Sequence, residues 1–117
     1  MPRLDDYDPS AQQNGLQIKK RTATGASLAA TCNGFAGSVT TESLTTAAGA
    51  EATYTITNNK VKADSVVLVS IGNGTNTTLG AAVVSVTPAA GSFVVTITNV
   101  HAVSALDGTL EINFLVI

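Results

Sequence analysis

The 117-residue chain has no tryptophan, one cysteine and one histidine, and only 12% of its residues are charged. A lone cysteine, Cys32, closes no disulfide within the chain, which excludes the disulfide-stapled secreted scaffolds. A structural zinc site takes about four Cys or His ligands, and Cys32 and His101 are all the chain has, so no metal or cofactor site is expected. Basic charge is scarce as well: six Lys and Arg against eight Asp and Glu give a formal net charge of -2. Nucleic-acid binding rests on a basic field, so that class is excluded. No apolar run approaches the roughly 20 residues that span a bilayer as a helix. Met1 to Gly15 has no basic segment followed by an apolar one, so no secretory signal is expected and the protein is expected to be made in a cytoplasm.

What the chain does have is Thr, Ala and Val, within a hydrophobic fraction of 44%. β-branched residues favour strands over helices. The charges are unevenly placed. Arg3, Asp5, Asp6, Asp8, Lys19, Lys20 and Arg21 are half of all of them, whereas residues 65–106 hold no Asp, Glu, Lys or Arg. The N-terminal piece also carries Pro2, Pro9 and Asn14-Gly15. Such a segment buries little apolar surface, so residues 1–21 are expected to form an extended arm and residues 22–117 a single folded domain.

That body reads as short extended segments between turn signals. Ser27 to Cys32 and Ser38 to Thr46 are the first two. In Glu51 to Thr57, Ala52, Tyr54 and Ile56 alternate with threonines, the period-2 signature of a sheet with one dry face. Ser65 to Ile71 is a continuous apolar run and is expected to be a central strand. Ala82 to Thr87 follows, then a turn at Pro88-Ala89-Ala90-Gly91, then Ser92 to Thr98 with Phe93, Val95 and Ile97 on one side. Thr109 to Ile117 presents Leu110, Ile112, Phe114 and Val116 to one face, and Leu115 and Ile117 to the other. With no helical periodicity of ten residues, the expected fold is all-β: an antiparallel β-sandwich or jelly roll of about seven to eight strands. A second layer or a partner subunit must then cover Leu115 and Ile117, and the apolar C-terminal strand must be paired.

Chemistry-bearing residues are few. A Cys32–His101 nucleophilic pair competes with the preferred reading of a small buried thiol and a loop histidine. Asp5, Asp6 and Asp8 lack the rigid frame that a calcium site of six to eight oxygens needs. Asp107-Gly108 reads as a hairpin turn. Gly72-Asn73-Gly74 is followed by neither a helix nor a lysine, so it reads as a turn and not as a phosphate cradle. The sequons at Asn73 and Asn76 carry no weight without a secretory signal. No catalytic residues are assigned and the chain is not expected to be an enzyme.

The stretch Ala63-Asp64-Ser65-Val66-Val67-Leu68-Val69-Ser70-Ile71, the segment Val84-Ser85-Val86-Thr87-Pro88-Ala89-Ala90-Gly91-Ser92-Phe93 and the ending Gly108-Thr109-Leu110-Glu111-Ile112-Asn113-Phe114-Leu115-Val116-Ile117 resemble β-rich virion proteins of tailed bacteriophages. The resemblance covers the last half of the chain and is nearest to capsid decoration (cement) proteins and to head- or tail-fibre modules. It implies a non-enzymatic component on the exterior of a virion, made in a host cytoplasm, with a major capsid protein as partner and a homo-oligomer, a trimer by preference, as its state. In that role the arm would dock through Leu4, Tyr7, Leu16 and Ile18 as apolar anchors, with Asp5, Asp6, Lys19, Lys20 and Arg21 setting register. Neither nucleic acid nor membrane is expected as a partner. The alternative is a fibre module that binds host carbohydrate or receptor. Sugar sites use exposed aromatics, and Tyr54, Phe93 and Phe114 are expected in the core.

Overall fold

The structure, a computed structural model, describes residues 18–117. Among them are eight strands and no helix: β1 (Lys20–Thr24), β2 (Ala29–Thr31), β3 (Ala36–Thr40), β4 (Glu51–Thr57), β5 (Val67–Asn73), β6 (Ala81–Ala89), β7 (Ser92–Asn99) and β8 (Leu110–Val116). They form two four-stranded sheets, β1-β3-β8-β5 and β2-β4-β7-β6. The all-β expectation holds, but the sheets are mixed, not antiparallel. β1 runs parallel to β3 and β2 parallel to β4, while the remaining pairs are antiparallel. The parallel pairs arise because the chain leaves β1 for the other sheet before returning at β3, and a short hairpin cannot bring that about.

The two sheets share one core. From β4 and β7 come Tyr54, Ile56, Phe93, Val95 and Ile97; from β3 and β8 come Val39, Leu110, Ile112, Phe114 and Val116. Alternation fills it, since every second residue of β7 and of β8 is buried. Phe93 and Phe114 join the layers, with ring centroids 5.3 Å apart and planes tilted by 53°. β8, the last strand, lies between β3 and β5, so the apolar C-terminal segment is paired on both sides, as expected.

Four expectations need correcting. The arm boundary set at Arg21 is late, because Lys20 and Arg21 are the first two residues of β1. β5 is an edge strand of its sheet and not a central one, with Leu68 55% exposed. The turn placed at Pro88–Gly91 is shorter: Pro88 and Ala89 belong to β6 and pair with Phe93 and Ser92. Proline is tolerated there because β6 is an edge. Asp107-Gly108 closes no hairpin; it lies in the connection that carries the chain from β7 in one sheet to β8 in the other.

Gly37 of β3 sits opposite Phe114 in the ladder, and a Cβ built there lies 2.7 Å from two atoms of that ring. Ring and backbone cannot both stay in place if a methyl is added. Gly37→Ala is expected to destabilise the protein by about 1–3 kcal/mol, the usual range for overpacking a core. The measurement is the shift in denaturant midpoint against wild type at unchanged m-value.

Candidate interaction surface

Strand register dictates what the outer face of the β1-β3-β8-β5 sheet displays. With Ile112, Phe114 and Val116 turned inward, Glu111, Asn113 and Leu115 turn outward, and their ladder partners turn with them. Leu115 lies opposite Ala36 on β3 and Leu68 on β5. Ala36 in turn lies opposite Lys20 on β1. Beyond the ladder, Val66 and Ile117 exchange backbone hydrogen bonds of 3.0 and 2.9 Å. One half of the face is therefore aliphatic: Val66 is 56% exposed and Ile117 74%, with Leu68 and Leu115 beside them. Among the described residues no layer covers Leu115 and Ile117; the second sheet packs on the opposite side.

The other half of the face is polar. The Glu111 carboxylate accepts from the Thr40 hydroxyl at 3.0 and 2.9 Å and from the Ser38 hydroxyl at 3.2 Å. Asn113 donates to Ser70 at 3.4 Å. One sheet face thus passes from an aliphatic patch to a hydroxyl-and-amide surface along each strand.

The expected docking residues separate accordingly. Leu4, Asp5, Asp6, Tyr7 and Leu16 lie outside the described residues. Ile18 and Lys19 are exposed just ahead of β1. Lys20 and Arg21 fall on opposite faces of the strand: Lys20 is exposed and shares the outer face with Ala36, while Arg21 is half-buried opposite Gly37. The basic triplet is therefore not one patch. Sequence reasoning missed Val66 and Leu68, because an apolar run reads the same whether a strand is central or carries an exposed apolar face. Apolar residues on both sides of β8 were the available signal.

No nucleophilic pair forms between Cys32 and His101. The Cys32 N–H donates to Thr57 O, next to the Ser92 end of β7, whereas His101 follows Asn99 at the other end. A strand of that length, at about 3.3 Å per residue, holds them roughly 20 Å apart. The His101 ring accepts from the backbone N–H of Val103 and Ser104 through Nδ1. Tyr54, Phe93 and Phe114 are in the core, as expected. Among the described residues no three His, Cys, Asp or Glu side chains come together as a metal site would require.

Two carboxylates organise loops. Burial works to raise the pKa of Glu42, but hydrogen bonds, from the Leu28 N–H at 2.6 Å and the Tyr54 hydroxyl at 2.8 Å among them, outweigh it and hold the group below its usual value. The same contact, together with burial, drives the Tyr54 hydroxyl upward. Asp107 accepts from the Thr77 hydroxyl and from the Thr77 N–H at 2.6 Å, and these bonds lower its pKa. Asn76 ties the same loops together, donating to Asn73 Oδ1 and Thr78 O and accepting from the Asp107 N–H.

Compared with known proteins, the chain matches no family model, no curated sequence and no solved structure.

Because the native pKa of Asp107 is depressed, its contribution is complete above the ordinary value of 3.8 and is lost as pH falls through the lower native value. Amide exchange at Thr77 and Thr78 is expected to be slow at neutral pH and to lose protection in acid. Asp107→Asn should remove that pH dependence and speed exchange at neutral pH, with the strands unaffected. Hydrogen-exchange NMR across the acid range measures both.

Proposed function

We propose that this chain is a structural component of a virus particle, a decoration protein that binds the outer face of a major capsid shell and bridges its subunits. The observation that carries the reading is the aliphatic half-face of Val66, Leu68, Leu115 and Ile117, which lies at the same end of the sheet as the start of β1, across its width from it. An exposed contiguous patch of this kind marks an interaction surface. Because the patch and the start of β1 share one end and one face of the sheet, docking can use both from one side. The sequence pattern of the last half, which resembles phage virion proteins, supplies the class of partner. On this reading the two sheets form a jelly-roll-like sandwich whose role is to hold the patch and the arm in fixed relation. Contacts of modest strength, repeated over a symmetric lattice, then add up by avidity, and a homo-oligomer with the patch at its base multiplies them again. Binding of carbohydrate by a fibre module has less support, since Tyr54, Phe93 and Phe114 are buried.

The test is co-sedimentation with capsids. The truncation ends before Ile18, so that β1 keeps its pairing with β3. Removal of residues 1–17 is expected to abolish binding while the body stays folded by circular dichroism. Leu68→Asp, which places a charge in the aliphatic patch, is expected to weaken binding at least tenfold. Undiminished sedimentation of both variants with capsids would refute the reading.

A further inference from the structure

Among the described residues the edge of β4 is only half covered. β2 pairs with Thr55, Ile56 and Thr57 and stops there. Thr55 donates to Leu28 O at 3.1 Å, and Thr57 O accepts from the Cys32 N–H at 2.9 Å, so these odd-numbered residues of β4 turn their backbone groups toward β2. By the alternation of an antiparallel ladder, Glu51 and Thr53 turn theirs the same way, away from β7. Among the described residues they meet no strand there, because the chain that would continue β2 is turned aside. Ala26 and Ala29 bond to one another across a two-residue loop in which Ser27 and Leu28 both have positive φ, 53° and 61°. That conformation is costly for a leucine and suits Asn-Gly far better. Gly25, just before the turn, is packed so closely against Tyr54 that an added Cβ would overlap its hydroxyl, and the Glu42 carboxylate grips the turn from outside through the Leu28 N–H.

An open groove of about 480 Å³ remains, with the Glu51–Thr53 edge on one side, the segment from Glu42 to Ala47 on the other and Leu28 at its head. That volume lies within the range of small-ligand sites. The far wall is fixed by its own bonds: Leu44 N–H to Gly108 O, Leu106 N–H to Thr46 O, and Asn99 Nδ2 to Thr46 O. Among the described residues Glu42 and Glu51 line the groove, and no Lys or Arg does.

We propose that this groove takes an extended protein segment bearing a basic side chain, which adds to the β4 edge as a short strand. The backbone groups of Glu51 and Thr53 supply the main-chain hydrogen bonds, as in other strand-addition complexes, and Glu42 and Glu51 select for Lys or Arg. The site is on the opposite sheet from the aliphatic patch and does not depend on the docking proposed above.

The probes are an acetylated, amidated pentapeptide Val-Thr-Arg-Thr-Val and its counterpart with Glu in place of Arg, titrated into the ¹⁵N-labelled full chain and followed by NMR. The Arg peptide is expected to shift the amides of Glu51 and Thr53 and slow their exchange, with the Glu peptide at least tenfold weaker. Thr53→Pro removes the N–H that faces the groove while sparing the ladder to β7, and should abolish the effect. Glu51→Gln, a surface change, should weaken it about threefold. The proposal is overturned by equal binding of the two peptides, by the absence of shifts at Glu51 and Thr53 at millimolar peptide, or by a folded Thr53→Pro variant that binds as wild type does.

Discussion

The contact between Phe93 and Phe114 is the join on which the rest of the molecule depends. Each ring sits on an inner strand of its own sheet, Phe93 on β7 between β4 and β6, and Phe114 on β8 between β3 and β5. With Phe114 pointed inward, the period of two leaves no freedom for its neighbours: Asn113 and Leu115 must face out. Ladder pairing then passes that choice to Ala36 and Leu68. The aliphatic outer patch follows from the register of the core, and no separate feature is needed to place it. A slip of one residue in β8 would bury Leu115 and Asn113 and expose Ile112, Phe114 and Val116, a loss several times larger than anything the patch could recover. Gly37 belongs to the same constraint, since only a residue without Cβ leaves room for the Phe114 ring.

A chain with so few charges fixes its loops by other means. Three buried asparagines carry most of that work. Asn58 donates to Gly34 O and accepts from the Gly34 and Lys60 N–H groups. Asn99 donates to Thr46 O and Ser104 O and accepts from the His101 N–H. Asn76 does the same between the loops around Thr78 and Asp107. Thr41 adds a fourth link, accepting from the Leu110 N–H and donating to Glu42 O. An amide offers donors and an acceptor at once without the desolvation penalty of an ion. Buried and fully bonded, such groups specify one loop conformation. Lys60, stacked 5.4 Å above the Phe35 ring, gives one of the few cations a role that needs no carboxylate.

How far the fold could be read in advance depended on where the information lay. β4, β7 and β8 were legible because their alternation is local and strong; Tyr54, Ile56, Phe93, Val95 and Ile97 could be assigned to the core from spacing alone. β1 was obscured by Lys20 and Arg21, whose charge suggested an arm, although an edge strand accommodates both, Lys20 on its outer face and Arg21 half-buried on the other. β3 was expected to run on to Thr46, but it ends at Thr40 because Glu42 is drawn to the Ser27–Leu28 turn and Leu44 to Gly108. The parallel pairings and the edge position of β5 depend on how the chain passes between sheets, which no window of residues encodes. Leu115 and Ile117 marked part of the outer patch from their position opposite the core residues of β8. Val66 and Leu68 did not, since the two polar residues of the run Ser65 to Ile71, Ser65 and Ser70, fall on opposite parities and do not separate inner from outer.

The two outer faces differ in a way that bears on binding. On the β2-β4-β7-β6 sheet the outward positions include Thr53, Thr55, Thr57, Thr87 and Thr96, a surface of hydroxyls. The other sheet presents aliphatic carbon over half its area. Since residues 65–106 contain no charged side chain, long-range steering contributes little to any encounter through β5, β6 or β7, and affinity there must come from apolar area and shape. A surface of that kind binds weakly as a single copy and is nearly indifferent to salt. Such contacts become effective when many copies meet a repeating partner, where avidity does what charge would otherwise do. The acidic groove beside β4 follows the opposite rule. Its selectivity rests on two carboxylates and an open backbone edge, so binding there should weaken as ionic strength rises, and salt dependence is the property that separates the two surfaces.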